Sequence, residues 1–394
     1  MGSIFNLKAK QGRLQPGKID ASLNQKLNQV EWGEFKLGEL FDVENWIYGK
    51  NKQYKTKLDQ PTKESVSVVS GLTENNGVNY YTLDNLSSKE IYENELTIST
   101  RGEYSGTVFY HSEKFVLANN ILVMFMPKLT KNQKIFIGSL INSLPYGGYS
   151  GYPRKETLAK DTIQLPIKKG AIDFEFMESF IAELESRHIA ELESYLQVTG
   201  LKDYNLSENE QFVLNNFNKV IFKTYKAEEL FEIKSTQSFN TDKLVNGCDY
   251  DYVTRTSLNQ GILKPTGFIN KENINPKGVW SLGLLQMDFF YRHKPWYAGQ
   301  FVRKITPKIL LSAKTILYFS VLLNKLKPRL LSVLIRDVDK VFNNSLILLP
   351  IKNGEIDFEY METFISAIQK LVIKDVVLYS ERKINETKKI VNNN

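Results

Sequence analysis

The chain has 394 residues, 42% of them hydrophobic, with 24% charged, a net charge of +7 and a pI near 9.0. That length exceeds one ordinary core and fits two domains, while a single cysteine, Cys248, and three histidines exclude a disulfide framework and a Cys-rich zinc site. The N-terminus lacks an apolar signal region and no run approaches the roughly 20 apolar residues of a membrane span, so a soluble cytoplasmic protein without membrane contact is expected, and the basic balance favours a polyanionic partner.

In chain order, residues 1–29 are polar and rich in Gly, Lys and Gln, and read as an N-terminal arm without a later counterpart. A first domain is expected over 30–170. It opens on VEWGEFKLGELFDVENW, and its short β-rich runs SVSVVSGLTENNGV, ELTISTRGEYSGTVFY and FVLANNILVMFMP alternate with turn signals. A spacer helix is expected over 171–199, then a linker with a short helix over 200–221 that starts near Ser207.

The second domain, 222–354, opens on FKTYKAEELFEIKST. Its Tyr225-Lys226 and Glu229-Leu230-Phe231 match Phe35-Lys36 and Glu39-Leu40-Phe41. Val253, Asn259 and Gly261 answer Val69, Asn75 and Gly77, and Phe290-Tyr291 answers Phe109-Tyr110; between these anchors the likeness collapses. A second spacer helix is expected over 355–394.

The strongest signal is LPIKKGAIDFEFMESFI, residues 165–181, which returns as LPIKNGEIDFEYMETFI, residues 349–365, identical at 13 of 17 positions. Such a repeat fixes the architecture before any local reading, and its period is that of a domain. Asp173 and Asp357 are N-cap candidates. Behind them Phe174, Met177, Ile181 and Leu184, and Phe358, Met361, Ile365 and Ile368, recur with the 3-4 spacing of a helix–helix seam. His188 falls on the same helix and reads as an interfacial seam residue. The first helix, about Asp173 to Val198, is roughly 39 Å long at 1.5 Å per residue, close to one turn of B-DNA.

Domain openings of this kind, each followed by LP-I-K-x-G and a long helix, resemble the DNA-specificity subunit of type I restriction-modification systems and the recognition subunits of type IIB systems, from about Val30 to Lys389. The resemblance implies an α+β fold: two target recognition domains with mixed β-sheet, separated by two long antiparallel helices in a coiled coil, a pseudo-twofold tandem duplication. It implies a subunit without an active site that reads a bipartite asymmetric target in double-stranded DNA, one half-site per domain. Two adenine methyltransferase subunits and restriction or translocase subunits would be its partners. S-adenosylmethionine and, for type I, ATP and magnesium would be bound by those partners, with no cofactor or metal on this chain. A type IIB recognition subunit is the alternative, and a two-domain protein adaptor the third reading.

The chain carries no methyltransferase tetrapeptide, PD-(D/E)xK nuclease signature or phosphate loop. DNA contact calls for Lys and Arg on phosphates and a few side chains on base edges. In the first domain the candidates are Tyr48, Lys50, Asn51, Lys52, Arg101, Tyr149, Tyr152, Arg154 and Lys155; in the second, Arg255, Lys264, Arg292, His293, Lys294, Arg303 and Arg336. His111 and His293 follow the paired Phe-Tyr, offset by one, and read either as solvated loop histidines or as phosphate or base contacts.

Overall fold

The opening EWGEFK and the closing TIQLPIK of the first domain are antiparallel neighbours, with Glu31 opposite Ile167 and Lys36 opposite Thr162. The computed structural model describes residues 21–148, 151–333 and 335–392, in two units, Met1–Glu191 and Leu192–Asn394. The first unit begins α1 (Ala21–Gln29), β1 (Glu31–Lys36), α2 (Leu37–Leu40), β2 (Ile47–Tyr48), β3 (Val66–Val69), β4 (Val78–Thr82), β5 (Glu95–Ser99) and β6 (Val108–His111). It continues with β7 (Phe115–Leu117), β8 (Ile121–Met124), α3 (Lys131–Asn142), α4 (Lys155–Leu158), β9 (Thr162–Lys168), β10 (Ala171–Ile172) and α5 (Phe174–Val198). The sheets are β1-β9-β10, β2-β8-β5-β6 and β4-β3-β7, with β7 parallel to β3.

Strands β5 and β8 are buried along their whole length, β8 as the continuous apolar run ILVM expected when both faces are covered, β5 with Glu95, Thr97 and Ser99 alternating with Leu96 and Ile98. Alternation divides their side chains between two cores. Leu96, Ile98, Leu122 and Met124 pack with Phe136, Ile137, Leu140 and Ile141 of α3, whereas Ile121 and Val123 pack with Val69, Phe115 and Leu117.

The second unit repeats this plan. It begins α6 (Glu208–Asn215), β11 (Phe222–Lys226), α7 (Ala227–Leu230), β12 (Phe231–Ser235), β13 (Tyr250–Val253), β14 (Ile262–Thr266), β15 (Val279–Gly283) and β16 (Phe289–Arg292). After these come β17 (Trp296–Ala298), β18 (Val302–Pro307), α8 (Ala313–Asn324), α9 (Lys327–Leu331), α10 (Val338–Asn343), β19 (Leu346–Lys352), β20 (Glu355–Ile356) and α11 (Phe358–Asn392). Its sheets β11-β19-β20, β12-β18-β15-β16 and β14-β13-β17 reproduce the first unit's orders. The bulge between Val68 and Val69 returns between Tyr252 and Val253.

The repeated connector is a hairpin followed by a helix start. Lys169-Gly170 and Asn353-Gly354 both have positive φ at their two positions, as a two-residue turn matching strand twist requires. Asp173 Oδ1 accepts the Phe176 amide at 2.9 Å, and Asp357 Oδ1 accepts the Tyr360 amide at 2.9 Å, satisfying donors that a helix start otherwise leaves bare.

Two expectations change. Residues 1–20 of the proposed arm lie outside the described residues, but 21–29 form a helix with Leu23 and Leu27 buried, and Lys26 and Ser22 bond Glu183 and Arg187 of α5. Helix α6 stands in the same place before β11, capped by Ser207, with Glu210 held by Lys370 of α11. Residues 21–29 of the arm therefore have a counterpart that the divergent sequences concealed.

The second change concerns the seam. Met177 and Ile181 are buried in the first domain's own core, with Leu184 packed against it, and Met361 and Phe358 pack in the second domain's core. Ile365 is half-buried, Ile368 and Phe174 are exposed at 36% and 41%, and His188 is exposed. A helical apolar stripe announces a buried face without saying what covers it. Here Phe180, edge-on to Phe136 of α3 at 5.9 Å, shows that the first turns of α5 close their own domain.

Candidate nucleic-acid interface

Three segments that carry predicted contact residues meet the β7–β8 turn at the end of the first domain's central sheet. After β2 the chain passes Gly49, whose amide donates to the Ile121 carbonyl at 2.8 Å. A Cβ there would lie 1.8 Å from the Ala118 carbonyl oxygen, so only glycine permits this approach. Lys50, Asn51 and Lys52 follow, all exposed. Thr100 and Arg101 leave the end of β5, and the Thr100 amide donates at 2.9 Å to the carbonyl of Asn120, which turns β7 into β8 with φ 59°.

The third segment precedes α4. The Lys155 amide donates to the Tyr48 hydroxyl at 3.1 Å, and its ammonium donates to the Glu44 carbonyl and lies 5.9 Å from the Tyr48 ring centre. Together these segments line a cleft of ≈ 900 Å³. Tyr48, Asn51, Arg101, Tyr152 and Arg154 all stand in its wall, with Gly49, Thr100, Asn119, Asn120, Pro153, Glu156 and Thr157.

Five of the nine candidates of this domain thus converge on one cavity. Lys50 is exposed and is not one of the wall residues, and Lys52 is tied to Glu90 with its ammonium 5.2 Å from the Tyr54 ring centre. Tyr149 lies outside the described residues. Asn119 and Asn120 were missed because Asn-Asn between strands reads simply as a turn. Amides and guanidinium groups are the side chains that bond adenine and guanine edges in pairs, and Arg101 and Arg154 are both exposed.

The second domain distributes its candidates differently. Arg255, Lys264, His293, Lys294 and Arg336 are exposed. Lys294 is paired with Asp251 at 3.1 Å, His293 lies 5.0 Å from the Tyr291 ring centre, and Arg303 Nε bonds both carboxylate oxygens of Asp339 at 2.9 and 3.1 Å.

Arg292 is a correction. It is 2% exposed, and its guanidinium is committed to the Ser281 hydroxyl at 2.6 and 2.9 Å and to the Gln260 carbonyl. Burial lowers its pKa to about 10. It braces the loop before β14 and presents no free charge at the surface.

The strand registers pair Arg292 with Val279 and His111 with Glu95, making these two residues structural equivalents. His111 is likewise buried, its Nε2 2.8 Å from the Thr97 hydroxyl, and burial holds its pKa down to about 4. Neither a solvated loop nor a phosphate contact describes it. The offset of one between His111 and His293 reflected this equivalence, with strand end matching strand end and His293 lying one residue beyond.

Among the described residues no group of three or more His, Cys, Asp or Glu could hold a metal ion, and no helix is long and apolar enough to cross a membrane.

Comparison with known proteins agrees with the duplication. The model of the type I restriction modification DNA specificity domain matches residues 29–194 and again 219–378. The specificity subunit S.BcgI of the type II restriction enzyme BgcI from Heyndrickxia coagulans is 21% identical over 356 residues, which cover 88% of this chain and 97% of that one. The crystal structure of a type I restriction-modification S subunit from M. genitalium shares 13% identity and a TM-score of 0.53 over 93% of this chain and 95% of that one. That likeness is one of fold.

Proposed function

This chain belongs to the type I restriction modification DNA specificity domain family, and from that premise we propose that it is a non-catalytic subunit reading a bipartite asymmetric DNA target, one half-site per domain. The observation that carries the reading is the first domain's cleft. It gathers Tyr48, Asn51, Arg101, Tyr152 and Arg154 from three separated segments, with Asn119 and Asn120 between them. Exposed guanidinium groups suit phosphate and guanine, and amides suit adenine. Each domain presents its own set of side chains on a common scaffold, which favours two different half-sites.

The subunit would recruit two adenine methyltransferase subunits and restriction or translocase subunits in the cytoplasm. S-adenosylmethionine, and in a type I system ATP and magnesium, would be bound by those partners. Helices α5 and α11 would form the antiparallel spacer that sets the half-site separation. The extended likeness to S.BcgI, a type II specificity subunit, favours a second reading with a type IIB partner that carries both methylation and cleavage. The neighbouring reading frames separate the two, since one fused partner marks type IIB.

The test is a gel-shift series at several salt concentrations with the methyltransferase partner, using sequences chosen from methylated adenines in the host genome. Binding should favour one split sequence and weaken with salt by a log–log slope of about −0.9 per phosphate contact. Equal affinity for all duplexes would sink the reading.

A further inference from the structure

The second domain's counterpart of the cleft has a different chemistry. Equivalence can be set by hydrogen bonds: the Ala118 amide donates to the Val69 carbonyl at 2.7 Å and the Gly299 amide to the Val253 carbonyl at 2.8 Å. Likewise Thr100 donates to Asn120 and Leu284 to Phe301, both at 2.9 Å. The residues standing where Asn119, Asn120, Thr100 and Arg101 line the first cleft are therefore Gln300, Phe301, Leu284 and Leu285.

Phe301 is the unusual member. Its φ of 61° matches the 59° of Asn120, but asparagine visits the left-handed region routinely whereas a bulky side chain is strained there. Core packing does not account for that strain, because Phe301 is 44% exposed and Leu285 beside it 55%. Strained backbone that burial does not explain points toward function.

The surroundings are basic. Arg255 lies with its guanidinium 5.2 Å from the Phe301 ring centre, a stacking contact that holds the ring. Arg255 occupies the position of Gly71, and Gly283 that of Ser99, so small and large residues have changed places across one backbone approach. A Cβ on Gly71 would meet Ser99 Oγ at 3.0 Å, and one on Gly283 would meet the Arg255 Cα at 2.9 Å. On β18, two residues past Phe301, Arg303 is paired with Asp339 of α10. An exposed aromatic ring stacked with the exposed Arg255 matches DNA better than it matches an apolar protein surface.

We propose that the second domain reads its half-site by apolar contact, with Phe301 packed on the 5-methyl group of a thymine in the major groove and Arg255 holding the ring. This rests on the DNA-reading function proposed above. Phenylalanine is one of the side chains that recognise that methyl group, and the first domain, with asparagine at the same position, would read its half by hydrogen bonds.

The test uses the full chain with its methyltransferase partner and duplexes in which thymines of one half-site are replaced by uracil, which lacks only the methyl. In the half facing the second domain the replacement should weaken binding about fourfold, the worth of one buried methyl group. Phe301→Asn, which installs the first domain's residue and relieves the backbone, should fold normally and erase the thymine–uracil difference in that half alone. Unchanged discrimination in Phe301→Asn, or equal binding of thymine and uracil duplexes by the parent protein, would overturn the inference while leaving sequence-specific binding intact. A uniform loss for all duplexes would also overturn it, marking a ring inserted between base steps or packed on protein. Absence of any preferred split sequence would remove the underlying function as well.

Discussion

His111 and Arg292 occupy the same strand end in the two domains, each bonded to the hydroxyl that the neighbouring strand turns toward it, Thr97 in one case and Ser281 in the other. One domain solves the position with a neutral imidazole, the other with a buried guanidinium. The difference makes the two domains respond differently to acid.

His111 is held to about 4 by burial, against an ordinary value of 6.5. Below pH 6.5 the unfolded chain binds a proton that the folded domain refuses, so stability falls as pH drops from 6.5 to 4, by on the order of 3 kcal/mol. In the second domain Glu210 is pushed up by burial but more strongly down by the Ser207 amide, the Ser366 hydroxyl and Lys370, to about 2. Its contribution is present above 4.5 and lost between 4.5 and 2. Thermal melts from pH 8 to 3 should therefore show the first domain weakening first, and His111→Gln should flatten that decline. Simultaneous weakening of both domains near pH 4 would count against the assignment.

Lys134 of α3 and Glu95 of β5 form a buried ion pair at 2.9 Å, with the Met126 amide and Asn94 carbonyl completing their bonds. Removing one partner leaves an uncompensated charge. Lys134→Met should cost about 3–5 kcal/mol, and the double change with Glu95→Gln should recover a large part of that. Urea denaturation of the two variants would measure both.

The connector turns carry Lys169 and Asn353 at equivalent positions, with φ of 54° and 55°. Asparagine adopts the left-handed region at lower cost than lysine. Lys169→Asn should stabilise the first domain by about 1 kcal/mol and Asn353→Lys should destabilise the second by a similar amount, read as opposite shifts in denaturation midpoint.

In the cleft, Arg101→Ala and Arg154→Ala leave the core untouched, so stability should stay within about 0.5 kcal/mol. Loss of a base contact costs about 1–3 kcal/mol in binding and relaxes one position of the target. Loss of a phosphate contact weakens all sequences alike and lowers the salt slope by about one. Target binding by each variant across a salt series distinguishes these, and wild-type affinity in the double variant would exclude the cleft.

What the sequence determined by itself was the duplication, and the devices whose parts lie within a few residues of one another. The caps at Asp173, Asp357 and Ser207, and the anchors Val69, Asn75 and Gly77 with their partners, were legible because caps and turns are local hydrogen-bonding problems. Tertiary structure decided the rest. Met177, Ile181 and Met361 looked like a helix–helix seam, but 3.6-residue periodicity shows only that one face is covered, and each is covered by its own domain. Arg101 and Arg292 were indistinguishable as arginines after β-rich runs. Strand register buried one against Ser281 and left the other at a loop end, where residues 48 to 157 converge to make a cleft that no single segment contains.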